Sequence, residues 1–209
     1  MNDKNSQGAR SHVRGDRGPR RNTLPTFERI SQCVPNAVLE EARQIAYADA
    51  SRNDLRTDKY KISVDCPLPD LFSQEYRQIL LQEQVPDTDS LDEANYTVWS
   101  DTCPAIKDYM ESIFGAVNRT RVTVLASGEE LDWHIDTDTS VMCRVQIGVD
   151  VDRSEFQFNR KGNIEKFIMD ANELWFINVG WSHRVVNYSD TPRIVIIAGV
   201  LHENLDALL

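Results

Sequence analysis

Two histidines, one aspartate and one arginine are spaced in this chain so as to build a metal centre with an anion anchor beside it. His134 and Asp136 flank Ile135, His183 follows about fifty residues later, and Arg193 lies ten residues beyond that. Residues two apart on a β-strand project from the same face. His134 and Asp136 can therefore share one ligand set, completed by His183 from a strand brought alongside. Two imidazoles and one carboxylate hold one face of Fe(II) and leave the opposite positions open for a co-substrate and O₂. Arg193 opens the apolar run Ile194-Val195-Ile196-Ile197, where a cation needs a buried anionic partner or a solvent-facing start. Its planar fork pairs with a carboxylate at two points and stays charged when buried. The four residues together suggest iron with a dicarboxylate co-substrate. The other two histidines, His12 and His202, fall in the N-terminal head and beyond the last strand, and no chemistry is assigned to them.

Composition narrows the classes that could use such a centre. With 209 residues and 41% hydrophobic content the chain is long enough for one domain with a sizeable core. Its net charge of −10 is unevenly spread: residues 1–22 carry six basic and two acidic side chains, leaving a net of about −14 on the rest. An acidic body argues against nucleic-acid binding, which needs a basic groove. The head, with Arg10, Arg14, Arg17, Arg20 and Arg21 among Gly, Ser and Asn, reads as a disordered basic tail. No apolar run has the form of a signal peptide or a membrane span. Cys33, Cys66, Cys103 and Cys143 are scattered without a C-x-x-C pair. They fit reduced thiols in a cytoplasmic protein, a setting that also suits iron kept as Fe(II).

The elements that must position the four residues fall into two halves. Residues 36–115 read as helical. Asn36 to Ala50 places Val38, Leu39, Ala42, Ile45 and Ala46 on one stripe, with Pro35 just before it. A second helix is expected from about Asp70 to Gln82, entered through Pro67 and Pro69. A third is expected from Thr102, read as its cap, through Pro104 in the first turn to Gly115. The polar stretch Val85 to Glu93 reads as a loop and a candidate cover for the site. From Arg121 the pattern changes to eight short β-favouring runs, 121–126, 131–135, 143–149, 155–159, 164–169, 173–178, 184–188 and 194–200. Gly128, Lys161-Gly162-Asn163, Gly180 and Ser189-Asp190-Thr191-Pro192 supply turns. The expected fold is mainly β with N-terminal helices: a double-stranded β-helix, or cupin-like jelly-roll, over about 120–200, with the helices packed on one outer face. Residues 23–209 then form a single domain.

The segments Trp133-His134-Ile135-Asp136, Cys143 to Val149, Glu173-Leu174-Trp175-Phe176 and His183-Arg184-Val185-Val186-Asn187 leading to Arg193 carry a family resemblance. From about Arg121 to Val200 the chain resembles the iron- and 2-oxoglutarate-dependent dioxygenases. More narrowly, it resembles the aspartyl/asparaginyl β-hydroxylase-like branch, which includes amino-acid hydroxylases such as the proline cis-hydroxylases. The resemblance implies that His134, Asp136 and His183 are the iron ligands and that Arg193 holds the distal carboxylate of 2-oxoglutarate. It implies that Thr123 is a hydroxyl residue assisting Arg193, and that Arg144 is a second arginine near the keto-acid end of the co-substrate. Gln146 stands where relatives tend to have another histidine, a departure from the pattern. Fe(II), 2-oxoglutarate and O₂ are the implied cofactors, and hydroxylation of an unactivated carbon with release of succinate and CO₂ the implied reaction. A carboxylate on the metal leaves no position for a halide, which favours hydroxylation over halogenation.

The branch mostly oxidises amino acids, free or inside peptides. A free or carrier-linked amino acid, or a short peptide, is the expected substrate, with an acidic loop residue among Asp87, Asp89, Asp92 and Glu93 as a candidate partner for its amine. Desaturation or ring closure by the same oxidant, and a non-catalytic cupin-like metal-binding or sensor protein, are the alternatives. Trp133, Trp175 and Trp181 are read as packing around the site, and Asp150, Asp152 and Glu155 as a solvated hairpin.

Overall fold

The computed structural model describes residues 23–31, 33–50, 76–89, 92–136, 142–205 and 208. The basic head, Cys66 and the first part of the expected second helix lie outside these residues. The strands are β1 (Phe27–Ser31), β2 (Tyr76–Leu80), β3 (Gln82–Gln84), β4 (Tyr96–Trp99), β5 (Asn118–Leu125), β6 (Glu130–His134), β7 (Met142–Asp150), β8 (Ser154–Arg160), β9 (Asn163–Phe167), β10 (Leu174–Ile177), β11 (Ser182–Asn187) and β12 (Arg193–Leu201). The helices are α1 (Asn36–Ala50), α2 (Pro104–Phe114) and the short α3 (His202–Leu205). A six-stranded sheet in the order β1-β10-β7-β12-β5-β2 faces a four-stranded sheet in the order β6-β11-β8-β9, and β3 and β4 form a separate ribbon. Each paired strand runs antiparallel to its neighbour. This is the jelly-roll expected from the strand pattern.

Period-two alternation sorts the large sheet into two faces. Val122, Val124, Val145, Ile147, Ile194, Ile196 and Ala198 turn outward and pack with Val38, Leu39, Ala42, Ile106 and Met110 of α1 and α2. Leu125, Val195, Ile197 and Ile177 turn inward and meet Phe156, Phe158, Phe167 and Val185 of the small sheet. Both faces of β7 and β12 are therefore buried, and eight of nine residues in each are buried, which explains their near-continuous apolar runs. The outward layer fixes the helices; the inward layer holds the site.

The eight expected C-terminal strands all form, each within about three residues of its expected ends. The helical reading of residues 36–115 is corrected. Residues 76–80, placed in the second helix by the sequence, form a strand, and so do 82–84, which begin at the expected end of that helix; β4 adds another. Tyr76, Gln78 and Leu80 pair with Leu125, Thr123 and Arg121 on β5, so tertiary pairing overrides the local pattern. β1, from a stretch given no element by its sequence, closes the opposite edge against β10.

Thr102 does not cap α2. The cap position is Cys103, which makes no side-chain cap bond. Glu41 of α1 supplies the acceptors instead, taking the Ala105 N–H at 3.1 Å and the Ile106 N–H at 2.7 Å. A carboxylate at a helix N-terminus satisfies orphan donors and is favoured by the helix dipole. Gly115 ends the helix at φ 69, a conformation that favours glycine. Cys33, Cys103 and Cys143 are free thiols. Among the described residues, no helix is long and apolar enough to cross a membrane.

Candidate metal centre

Strand pairing brings the two histidines together. His183 on β11 lies directly across from His134 at the end of β6, and the ring centroids are 4.2 Å apart. β6 ends at His134, so Asp136 lies just past the strand. Its N–H donates to Val179 O at 3.1 Å, which turns the chain back toward the pair. Asp136 Oδ1 sits 3.6 Å from His134 Nε2. One ligand atom from each of His134, Asp136 and His183 falls within 4.8 Å of the others, a cluster on the scale of a single ion's coordination shell.

Backbone carbonyls orient both rings. His134 Nδ1 is 2.6 Å from Asp132 O, and His183 Nδ1 is 3.0 Å from Trp181 O. A carbonyl can only accept, so each Nδ1 carries a proton, and Nε2 is the nitrogen left to ligate a metal. This is how metal-binding imidazoles are held in the ligating tautomer. Burial between the sheets, with the Phe158 ring 6.0 Å away, and the nearby His134 bring the His183 pKa down to about 4, against the pull of Asp136. For Asp136, burial works to raise the pKa, but His134, His183, Arg144 and Arg121 outweigh it and bring it to about 2. Near neutral pH the cluster therefore offers a neutral His183 and an ionised Asp136.

The depressed His183 pKa predicts a pH dependence of stability. Its ordinary value is 6.5 and its folded value about 4, so between them the unfolded chain binds a proton that the folded chain does not. The stabilising contribution is full above about 6.5 and is lost as pH falls toward 4. Thermal unfolding of chelator-treated protein should show this decline, and His183→Gln should flatten it. An equal slope in both proteins would refute the assignment.

The inner wall of the large sheet faces this cluster with polar side chains among apolar ones. Arg193 is 4% exposed, and its guanidinium lies 5.1 Å from the Phe156 ring centroid. Among the described residues it meets no carboxylate. Nη2 donates to Gln146 Oε1 at 3.4 Å, and the buried Nε has no hydrogen-bond partner. Burial lowers its pKa to about 10, so it remains a cation. Thr123 lies on the same inner face, opposite Val195. Its hydroxyl donates to Val195 O at 3.5 Å rather than to Arg193.

Arg144 is 2% exposed and Gly199 lies directly across from it on β12. A Cβ on Gly199 would clash first with Met142 Sδ and stand 3.0 Å from Arg144 Nη1, so the missing side chain leaves room for both Met142 and the guanidinium. Arg144 Nη2 is paired with Glu93, which also pairs with Arg119. The suggested amine role for Glu93 does not hold in this arrangement, because its carboxylate is engaged by two arginines. Asp92 caps the short turn Glu93–Asn95, accepting the Ala94 N–H.

Two inward residues escaped the sequence reading. Arg121 lies two before Thr123 on β5, so strand alternation alone puts it on the same face. Tyr76 was hidden in a stretch read as helix. Its side chain packs against the inner core, and burial raises its pKa against the pull of Arg121, with Asp136 and Arg193 also acting on it. Trp175 and Trp181 pack in or against the inner core, as expected. Trp133 instead lies under Arg184, 5.3 Å from ring centroid to guanidinium. Asp150 is tied to Arg43 of α1 at 3.1 Å, and Glu155 to Lys166 at 3.0 Å, so these two acids are ion-paired.

Comparison with known proteins agrees with this architecture. A prolyl hydroxylase from Trichoplax adhaerens, solved with a hypoxia inducible factor peptide fragment, shares the fold at a TM-score of 0.55 and 13% identity, over 90% of this chain and 89% of that one. A 2OG-Fe(II) oxygenase family oxidoreductase from Burkholderia pseudomallei gives a TM-score of 0.43 at 14% identity, over 83% and 94%. An oxalate oxidase gives 0.39 at 10% identity; 63% of this chain aligns and spans about half, 53%, of that one. No curated protein sequence matches. The family comparison covers residues 40–203, the site-bearing strands and most of the elements before them: the chain belongs to the aspartyl/asparaginyl beta-hydroxylase family.

Proposed function

We propose that this protein is an Fe(II)- and 2-oxoglutarate-dependent dioxygenase that hydroxylates an unactivated carbon of an amino acid, free or carrier-linked, or of a short peptide. One observation supports it above the rest. Arg193 is a buried cation with an unpartnered Nε, on the wall that faces the His134, Asp136 and His183 cluster. A bare metal binder or sensor has no use for such a group, whose burial is costly unless an anion completes it. A dicarboxylate co-substrate is that anion.

In this reading His134 and His183, through Nε2, and Asp136 hold the iron, and Arg193 takes the distal carboxylate of 2-oxoglutarate. Gln146 steadies the Arg193 fork, filling the place where relatives carry a histidine, and Thr123 lines the same pocket. Iron and co-substrate, when bound, supply the oxidising chemistry, in which decarboxylation to succinate and CO₂ is coupled to hydroxylation of a C–H bond. The chain orients them and, through Phe156, Phe158 and Trp181, keeps water away from the reacting carbon. Residues 23–209 work as one dioxygenase unit, with the basic head outside it. The peptide bound by the Trichoplax enzyme keeps a short peptide beside the free amino acid as a substrate.

Anaerobic addition of Fe(II) and 2-oxoglutarate should produce a weak visible charge-transfer band. His134→Ala and His183→Ala should each abolish it, together with succinate formation. Retention of both band and activity in the two variants would sink the assignment. Screening amino acids for stimulated succinate release identifies the substrate.

A further inference from the structure

Strand register sets one hairpin at the metal end of the barrel. β6 ends at His134, opposite His183 near the start of β11, and β11 pairs there with the end of β8. β8 and β9 join through the two-residue turn Lys161-Gly162, with Arg160 paired to Asn163. The hairpin therefore stands at the end of the small sheet that carries the metal ligands. Trp181 lies two residues before His183, and Arg160 two residues after Phe158, the partner of His183 on β8. Two residues of strand span about 7 Å, so these side chains lie one short step from the metal cluster.

Arg160, Lys161, Asn163, Ile164, Glu165 and Trp181 line a cleft of about 470 Å³, within the range of small-ligand sites, roughly 300–1,000 Å³. Trp181 is buried and gives it an aromatic floor, and Ile164, 49% exposed, gives it an apolar wall. The Arg160 guanidinium lies 5.1 Å from the Trp181 ring centroid. Its Nη1 donates to Thr26 Oγ1 at 3.0 Å and stands 3.8 Å from Glu165 Oε2, the oxygen that accepts from Thr26 Oγ1 at 2.9 Å. The fork is thus braced through Nη1, and among the described residues its Nε and Nη2 donate to no protein group. Lys161 forms no ion pair among these residues. It sits at φ 55 in a turn position that favours Asn, Asp or Gly. The cleft carries two cations and one carboxylate on a chain whose net charge is −10.

We propose that this cleft is a docking subsite for a peptide substrate, in which Arg160 and Lys161 take an acidic side chain one or two residues from the one that reacts at the metal. An extended peptide advances about 3.3–3.6 Å per residue, so a chain with one residue at the metal brings its neighbour or the next side chain to the Arg160 fork. A free amino acid held at the metal leaves the cleft unfilled. A guanidinium donates to a carboxylate at two points, and the Trp181 ring holds the fork without competing for its donors. Lys161, at the hairpin tip, adds a charge that steers the approach. The proposal deepens the dioxygenase reading, choosing a peptide over a free amino acid, and rests on that reading for calling the peptide a substrate.

Peptide binding to the metal-free full chain tests it, read by NMR at the Lys161 and Ile164 amides and the Trp181 indole N–H. The probe is acetyl-Gly-Glu-Gly-amide, with its Gln counterpart and inorganic phosphate as controls at fixed ionic strength. The Glu peptide should shift all three signals saturably, and the Gln peptide and phosphate should each bind several-fold more weakly. R160Q and K161Q should each weaken the Glu peptide several-fold, and R193M should bind it as the parent does. Absence of a saturable shift overturns the proposal, as does equal binding of the Gln peptide or of phosphate, or parent affinity in either cleft variant. So does a succinate screen in which free amino acids are turned over and acidic peptides are not. The binding assay needs neither iron nor 2-oxoglutarate. A missing charge-transfer band would therefore remove the dioxygenase reading and leave the subsite, and a peptide that fails to bind would do the reverse.

Discussion

Arg193→Met is expected to cut the apparent affinity for 2-oxoglutarate by roughly one and a half to three and a half decades while leaving the metal-free protein at least as stable as the parent. The first effect follows from the place of the guanidinium, which is 4% exposed on the inner wall and has an unpartnered Nε. A carboxylate bound there loses a charge-assisted partner screened from water, a loss that typically costs about 2–5 kcal/mol. The second effect follows from the same burial, which leaves the cation poorly solvated and lowers the Arg193 pKa to about 10. Methionine restores much of the apolar volume beside Phe156 without the charge, so no large cavity opens to mask the gain. Arg193→Lys separates charge from geometry: it keeps the cation but loses the fork, and its affinity should fall between the two. Titration of the charge-transfer band gives the affinity, and thermal unfolding gives the stability. Unchanged affinity in Arg193→Met would refute the anchor role. A large fall in unfolding temperature would show that the guanidinium is a structural group.

This division between function and stability is also why the site was so legible. His183 and Arg193 are buried polar side chains among the apolar residues of β11 and β12, and such breaks stand out. His134 and Asp136 were marked by their spacing, two apart at the end of β6. The eight strands after Arg121 were readable for the opposite reason. Their alternation and turn residues agree with the tertiary structure at each step.

What stayed hidden depends on distant partners. The acceptors for the first turn of α2 come from Glu41, 64 and 65 residues before the amides it serves, so Thr102 was credited with a cap it does not provide. The Glu93 pair with Arg144 joins residues 51 apart, and no local pattern announces it. β2 lies at the sheet edge, where Tyr-Arg-Gln-Ile-Leu needs no clean alternation, and two upstream prolines made a helix entry plausible. Arg121 is different, because it lies two residues from Thr123 on a strand that was correctly identified. Extending the alternation by one step would have found it.

On the proposed dioxygenase reading Asp136 is the third metal ligand, and Asp136→Gly should abolish hydroxylation in a protein that still folds. The backbone bond that positions it, from its N–H to Val179 O at 3.1 Å, survives in glycine, and neither imidazole loses its carbonyl partner. What goes is the carboxylate, ionised down to a pKa of about 2, and with it the charge that balances the metal against Arg144 and Arg121. Iron affinity should fall, and at saturating iron one more coordination position should be open to small anions. Azide is then expected to shift the visible spectrum of the variant much more than that of the parent. Asp136→Glu keeps the charge but lengthens the arm by a methylene, and a misplacement of about 1 Å can cost on the order of a hundredfold in rate. It should therefore bind iron better than the glycine variant and still turn over poorly. Circular dichroism confirms folding, and succinate release with the identified substrate measures turnover. If Asp136→Gly hydroxylates at the parent rate, two histidines suffice for the metal. Asp136 would then serve to orient His134 across the 3.6 Å between them.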